Sequence, residues 1–165
     1  MLVLGIDPGT ATTGYGLVEN KHGRETLVAY GTINTPSTMA MPLRLLKINQ
    51  ELMKLINQFQ PDAAGIEELF YQKNSKTVIT VAQSRGVAMM TAAGAGLPVA
   101  EYTPLQVKQA VVGYGNADKR QVQLMVKNIL AMDTMPRPDD AADALAVAIC
   151  HLHSCRVTKL MQGKD

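Results

Sequence analysis

Two separate apolar runs in this chain end on the same three residue types. "LVLGID" (2–7) and the "AGIE" inside "DAAGIEEL" (62–69) each read as a buried strand closing on glycine, isoleucine and an acid. Asp7 alone has an ordinary explanation, since Asp before Pro8 and Gly9 is turn chemistry: the carboxylate takes nearby amides, proline fixes φ and glycine accepts positive φ. The repeat at Glu67 asks for more. Strands joined by a right-handed crossover are natural parallel neighbours, so both acids would emerge side by side at the strands' carboxyl ends. That edge is where α/β sheets place ligands. Glu68 would point to the opposite face.

The rest of the pattern supports such a sheet. "TTGYGLVEN" (12–20) and "RETLVAYGTIN" (24–34), joined by the short "KHG" turn, continue the first strand as an antiparallel meander. Leu45, Ile48, Leu52, Leu55, Ile56 and Phe59 recur at helical spacing over 42–59, between Pro42 and Pro61. After the strand at 62–69 come a helix at 77–94, a strand at 97–103, and helices at about 104–112, 118–131 and 138–155. The order predicts an α/β fold. Its mixed five-stranded sheet combines a three-strand antiparallel meander with two parallel strands, and helices flank both faces. No linker, repeat or composition break divides the chain, so one domain over 1–165 is expected, with a flexible tail from about 156. A domain of this length buries roughly 70% of its unfolded surface without staples.

With 47% apolar and 18% charged residues, disordered and fibrous classes are excluded. The opening "MLVLGIDPGT" has no basic lead or cleavage site and no apolar run approaches spanning length, so a cytoplasmic protein with no membrane partner is expected. Cys150 and Cys155 in "CHLHSC" suit reduced thiols. On a helix, Cys150, His151, His153 and Cys155 scatter around the axis and do not converge on zinc.

The last helix opens "RPDDAADALAVAIC". Asp140 and Asp143 share a face that Val147 and Cys150 continue into the core, whereas Asp139 lies off that line and reads as a capping acid. Asp143, a turn deeper, exceeds what capping explains. Two like charges at 4 Å interact by about 4 kcal/mol at an effective dielectric near 20, so four clustered carboxylates need a compensating cation. Oxygen donors without convergent His or Cys select Mg²⁺ or Mn²⁺, and such a cluster can hold a pair of ions roughly 3.5 to 4 Å apart. That arrangement suits phosphodiester hydrolysis. One ion would align an attacking water and the other would stabilise the departing 3′ oxygen.

A net charge of +2 neither demands nor excludes nucleic acid. Lys73, Lys76, Arg85, Lys108, Lys119, Arg120 and Lys127 sit in or beside Gly/Asn-rich connections; solvated helix faces account for them equally well.

"GIDPGTATTGYGLV", "PDAAGIEELFYQKN", "AQSRGVA", "TPLQVKQAVVGYGNADKRQVQ" and "DDAADALAVAICH" together resemble the RuvC-type Holliday junction resolvases, bacterial nucleases of the ribonuclease H-like fold, over almost the whole length. The resemblance implies a structure-selective endonuclease that resolves four-way DNA junctions by paired symmetric nicks, leaving 5′-phosphates and 3′-hydroxyls, in recombination and repair. It puts the family's metal-binding carboxylates on Asp7, Glu67, Asp140 and Asp143, the same four that spacing selects, with two Mg²⁺ per site and Mn²⁺ as a substitute. It implies that Lys108 and Lys119 contact DNA near the scissile phosphate. Lys73, Asn74, Lys76 and Arg120 are weaker candidates for backbone contact, and phosphate neutralisation of this kind would make binding salt dependent. Phe70 would meet unpaired bases at the junction centre, although a core aromatic is an equal reading.

A homodimer is implied too, matching the two-fold symmetry of a junction, as is work alongside the branch-migration proteins RuvA and RuvB. Val78, Val81, Ala82, Val87, Ala88 and Met89 would supply the dimer contact or else pack within the monomer. Ser84 and Asn116 depart mildly from the family pattern, and Tyr71 and Gln72 fill a variable loop. Lys119 and Asp143 are both candidates for moving the proton.

Two other readings stand beside this one. "GIDPGTATTG" also resembles the first phosphate loop of actin-like ATPases and sugar kinases, which would make Thr10, Thr12 and Thr13 phosphate contacts. The chain is too short for both lobes of those enzymes and shows no second phosphate loop. A junction-binding module without turnover is the third, against which the four acids argue.

Overall fold

Residues 1–68 and 75–161 are described by a computed structural model, apart from the side chains of 75–77 and 157–161. β1 (Leu2–Asp7), β2 (Thr12–Lys21) and β3 (Arg24–Asn34) form the antiparallel meander that their alternation predicts. His22 and Gly23 turn the β2–β3 hairpin, both at positive φ, as a tight two-residue connection requires. α1 (Met41–Phe59) carries proline in its first turn and is closed by Gln60 in the left-handed region. The chain returns as β4 (Ala63–Glu67), parallel to β1, and α2 (Ser75–Gly94) leads to β5 (Val99–Tyr102), parallel to β4. α3 (Pro104–Val112), α4 (Lys119–Ile129) and α5 (Asp139–Met161) follow. The strand order β3-β2-β1-β4-β5 puts β1 at the centre of the expected five-stranded mixed sheet. β4 ends at Glu67 rather than 69, and α5 runs on to Met161, past the helix end expected near 155.

Alternation along β1 decides which residue meets which layer. Leu4 and Ile6, with Leu17 and Ile66, face α1 and α2 and pack against Ile48, Leu52, Ile56 and Ala88. Each such side chain contributes roughly 1.5 to 3 kcal/mol by leaving water. Val3, Gly5 and Asp7 belong to the other face, where α5 lies. There the sheet offers glycine in place of side chains. Gly5 is in register with Gly16 on β2 and Gly65 on β4. A Cβ on Gly5 would run into the Ala144 carbonyl, one on Gly16 would lie 2.8 Å from Leu145, and one on Gly14 would fall on the carbonyl oxygen of Asp140. Where α5 crosses Gly5 its residues are correspondingly small, Ala144 and Ala148, while Leu145 and Val147 beside them lie over Gly16 and Gly65. The helix therefore rests on sheet backbone, and its first turn is held against the carboxyl end of β1, where Gly14 pairs with Asp7.

Candidate active site

Asp7 and Glu67 are the last residues of β1 and β4, and the parallel pairing of Ile6 with Ile66 makes them neighbours at the sheet edge. Their carboxyls lie within hydrogen-bonding reach of each other. Burial first, then the charges of Glu67, Asp143 and Asp140, push the Asp7 carboxyl up to about 8. Glu67 is also raised, by burial and by Asp143, against the pull of the Asp7 hydrogen bond and of Lys119 and Lys108. Asp143 is raised by burial even though Lys119 faces it. A buried group of like charges is thus assembled, in which full ionisation is disfavoured.

α4 supplies the nearest positive charge. Asp118 and Gln121 close a reciprocal cap at its start, Gln121 N–H donating to Asp118 Oδ1 and Asp118 N–H to Gln121 Oε1, both at 2.8 Å. The next residue, Lys119, places Nζ 2.9 Å from Asp143 Oδ2 and 3.4 Å from Asp139 Oδ2. Gln123 Nε2 donates to the second Asp139 oxygen at 2.9 Å. Partial burial pulls the Lys119 ammonium down, but the two aspartates more than offset this and raise it. The Gln123 hydrogen bond, then Lys119, hold Asp139 below its ordinary value. The sequence reading of Asp139 as a cap missed this contact. Its available signal was the i,i+4 spacing of Lys119 and Gln123, which puts both on one face of α4.

Glu67, Asp143, Lys108 and Lys119 line one cleft, floored by Val107 and Val122. Asp140 lines a separate recess with Gly9, Thr10, Thr12 and Arg44. Hydrogen bonds fix the wall of that recess. Arg44 Nε donates to Thr35 Oγ1 at 2.9 Å, the Thr35 hydroxyl donates to the Thr10 carbonyl, and the Thr10 hydroxyl donates to Thr80 O at 2.7 Å. Ser84 Oγ, 3.0 Å from Thr10 Oγ1, closes the chain, so the departure at Ser84 has a partner. Thr13 is buried with its hydroxyl on Gly9 O. The hydroxyls of Thr10 and Thr13, phosphate contacts in the nucleotide reading, are therefore committed to the protein's own groups.

Arg120 is exposed beside Lys119, and Arg85 is tied to Glu101. Phe70, Lys73 and Asn74, together with the variable Tyr71 and Gln72, lie outside the described residues, as does the side chain of Lys76. Cys150 and His151 are core residues, with His151 Nδ1 2.9 Å from the Tyr102 hydroxyl, while His153 contacts Glu25 and the Ala110 carbonyl.

Among the described residues no three acids, histidines or cysteines close on a point that would hold an ion as they stand, because Asp143 is paired with Lys119 and Asp140 lies in its own recess. The donor chemistry nonetheless fits a hard divalent cation. All four groups are carboxylates, hard oxygen donors of the kind such an ion takes, and Asp7 and Glu67 are held side by side by the β1–β4 pairing.

Comparison with known proteins converges on one group. A relative from Syntrophomonas wolfei, a crossover junction endodeoxyribonuclease RuvC, is 67% identical over 163 residues, covering 99% of this chain and 95% of that protein. The Thermus thermophilus RuvC solved in complex with a Holliday junction substrate superposes with a TM-score of 0.91 at 35% identity, covering 96% of both chains. The yeast mitochondrial Holliday junction resolvase shares the fold at a TM-score of 0.63 and 14% identity, over 92% of this chain and 78% of that one. Residues 3–151 match the family described as crossover junction endodeoxyribonuclease RuvC, and the chain belongs to that family.

Proposed function

We propose that the chain, a single nuclease domain over 1–165, is a metal-dependent, structure-selective endonuclease. It resolves four-way Holliday junctions by paired symmetric nicks in homologous recombination and DNA repair. The observation that carries the reading is the side-by-side ending of β1 and β4 on Asp7 and Glu67, with Asp143 in the same cleft as Glu67, where burial and then the neighbouring carboxylates raise the Asp7 carboxyl to about 8. A family member solved with a Holliday junction supports the substrate class.

Asp7, Glu67, Asp140 and Asp143 would hold two Mg²⁺, with Mn²⁺ as a substitute. Such cations supply Lewis acidity toward water and phosphoryl oxygens. The chain's own groups do the rest. Lys108 and Lys119, on the cleft wall, meet the charge of the scissile phosphate. Water adds to phosphorus as the bond to the 3′ oxygen breaks, leaving a 5′-phosphate and a 3′-hydroxyl. Asp143 and Lys119, 2.9 Å apart, are the groups placed to take and return the proton.

Phe70 is proposed to stack on unpaired bases at the junction centre, and Lys73, Asn74, Lys76 and Arg120 to follow the backbone. The active form is a homodimer. Val87, Ala88 and Met89 pack toward the sheet, leaving Ile79 and Met90, 66% and 62% exposed, on the outer side of α2 as the surface for a second copy. RuvA and RuvB are the proposed companions, in the bacterial cytoplasm. No helix among the described residues is long and apolar enough to cross a membrane.

The test incubates a labelled synthetic four-way junction and a matched linear duplex with the protein, in Mg²⁺ or chelator, beside Asp7→Asn. Paired, religatable nicks confined to the junction are expected. They should be lost in chelator and in the variant while junction binding persists. Binding without cutting in any divalent metal would make the chain a junction-binding module instead.

A further inference from the structure

Lys119 answers to two acids of α5, and only one of them belongs to the proposed metal site. Its ammonium lies between Asp143, at 2.9 Å, and Asp139, at 3.4 Å. Asp139 does not float at the helix start, because Gln123, one turn along α4 from Lys119, donates to its other oxygen at 2.9 Å. Two prongs from one face of α4 thus grip a single carboxylate on α5. The grip is exposed, with 62% of the Asp139 side chain and 52% of the Lys119 side chain accessible. As a source of stability such a pair is worth little. Its geometric effect is larger, because a four-carbon lysine stem has many rotamers and an ammonium without a second anchor settles on whichever anion lies nearest. Here that anion is Asp143, which the proposed site needs for a cation.

We propose that Asp139, fixed by Gln123, is a positioning residue: it gives the Lys119 ammonium, paired with Asp143 in this structure, a second anchor at the cleft on which to rest when a divalent cation takes Asp143. Asp139 touches neither metal nor DNA in this role and acts through Lys119. The inference rests on the metal-site reading, in which Asp143 is a ligand.

The experiment is a calorimetric titration of the intact protein with Mn²⁺ alone, without DNA, on wild type, Asp139→Asn, Lys119→Ala and the double variant. Asp139→Asn keeps the shape of the side chain and the contact to Gln123 while removing the charge that holds the lysine. If Asp139 works through Lys119, Asp139→Asn weakens Mn²⁺ binding roughly two- to fivefold, the scale of an exposed ion pair. The weakening shrinks markedly once Lys119 is alanine, since the two changes share one interaction. Asp139→Glu, which preserves the anchor, should restore affinity. An equal weakening in both backgrounds would overturn the proposal, because the charge of Asp139 would then act on the cation directly. Absence of Mn²⁺ binding by the wild type would instead overturn the metal-site reading itself, so the two failures are distinguishable.

Discussion

On the α1 and α2 face of the sheet, Leu4, Ile6, Leu17 and Ile66 meet Ile48, Leu52 and Ile56 side chain to side chain, whereas on the α5 face Gly5, Gly14 and Gly16 bring the helix directly onto strand backbone, within a core that Val3, Val18, Leu145 and Val147 complete. The first kind of contact is broad, and losing part of one side chain leaves a local void. The second sets the position of a whole helix. It also carries the acids, because Asp7 shares the glycine face of β1 and α5 brings Asp140 and Asp143 to it. Both faces bury apolar side chains, but the α5 face also holds like charges together at the expense of stability.

The largest effect expected from disturbing this division comes at Gly14. A methyl group there falls on the Asp140 carbonyl, so the first turn of α5 must move. A misplacement of about 1 Å in a catalytic constellation can lower the rate roughly 10²-fold. Gly14→Ala should therefore reduce junction cleavage by about that factor with junction affinity nearly intact, measured on the labelled substrate. A wild-type rate would mean that the helix position does not govern the acids.

Leu52→Ala addresses the opposite face. Its side chain is fully buried, and truncation should lower stability by about 2 to 5 kcal/mol in urea unfolding. Cleavage well below the melting temperature should be unaffected, and a parallel loss of rate would erase the distinction between the faces.

Charge storage makes a subtler prediction. Asp7 has a folded value of about 8 against an ordinary 3.8, so between those values the native state binds the proton more tightly than the unfolded chain does. In chelator, stability should fall as the pH rises through that window and level off above it. Asp7→Asn should flatten the dependence and melt higher than the wild type at pH 8. Added Mg²⁺ should narrow the gap. Thermal melts across pH, with and without chelator, decide the sign.

The smallest effect belongs to Ser84→Ala, in the hydrogen-bonded wall behind Thr10. The Thr10 hydroxyl keeps its acceptor, Thr80 O, so about 1 kcal/mol of stability and no change in cleavage are expected.

Much of this arrangement was legible in the sequence because it follows from local periodicity. Alternation located the strands, the helical spacing of Leu45 to Phe59 located α1, and the shared Gly-Ile-acid ending placed Asp7 beside Glu67 once a parallel crossover was assumed. Spacing on α5 put Asp143 with them. What remained hidden depends on contacts between distant segments. Asp140 shares a helix face with Asp143 yet lines a different recess, with Gly9, Thr10 and Arg44 from other segments. The Lys119–Asp139–Gln123 tie needs the relative placement of two helices, and the Arg44–Thr35–Thr10–Ser84 chain needs four segments at once. The packing of Val87, Ala88 and Met89 toward the core depends on which side of α2 meets the sheet.

The tight turn at His22 and Gly23 offers a handle. Both residues are exposed at the tip of the β2–β3 hairpin, and Gly14, the partner of Asp7, lies at the opposite end of β2. At about 3.3 Å per residue the tip stands roughly 26 Å from the acids. A fluorophore or surface tether attached there would report on DNA arriving at the carboxyl edge of the sheet while leaving the cleft and the outer side of α2 unobstructed.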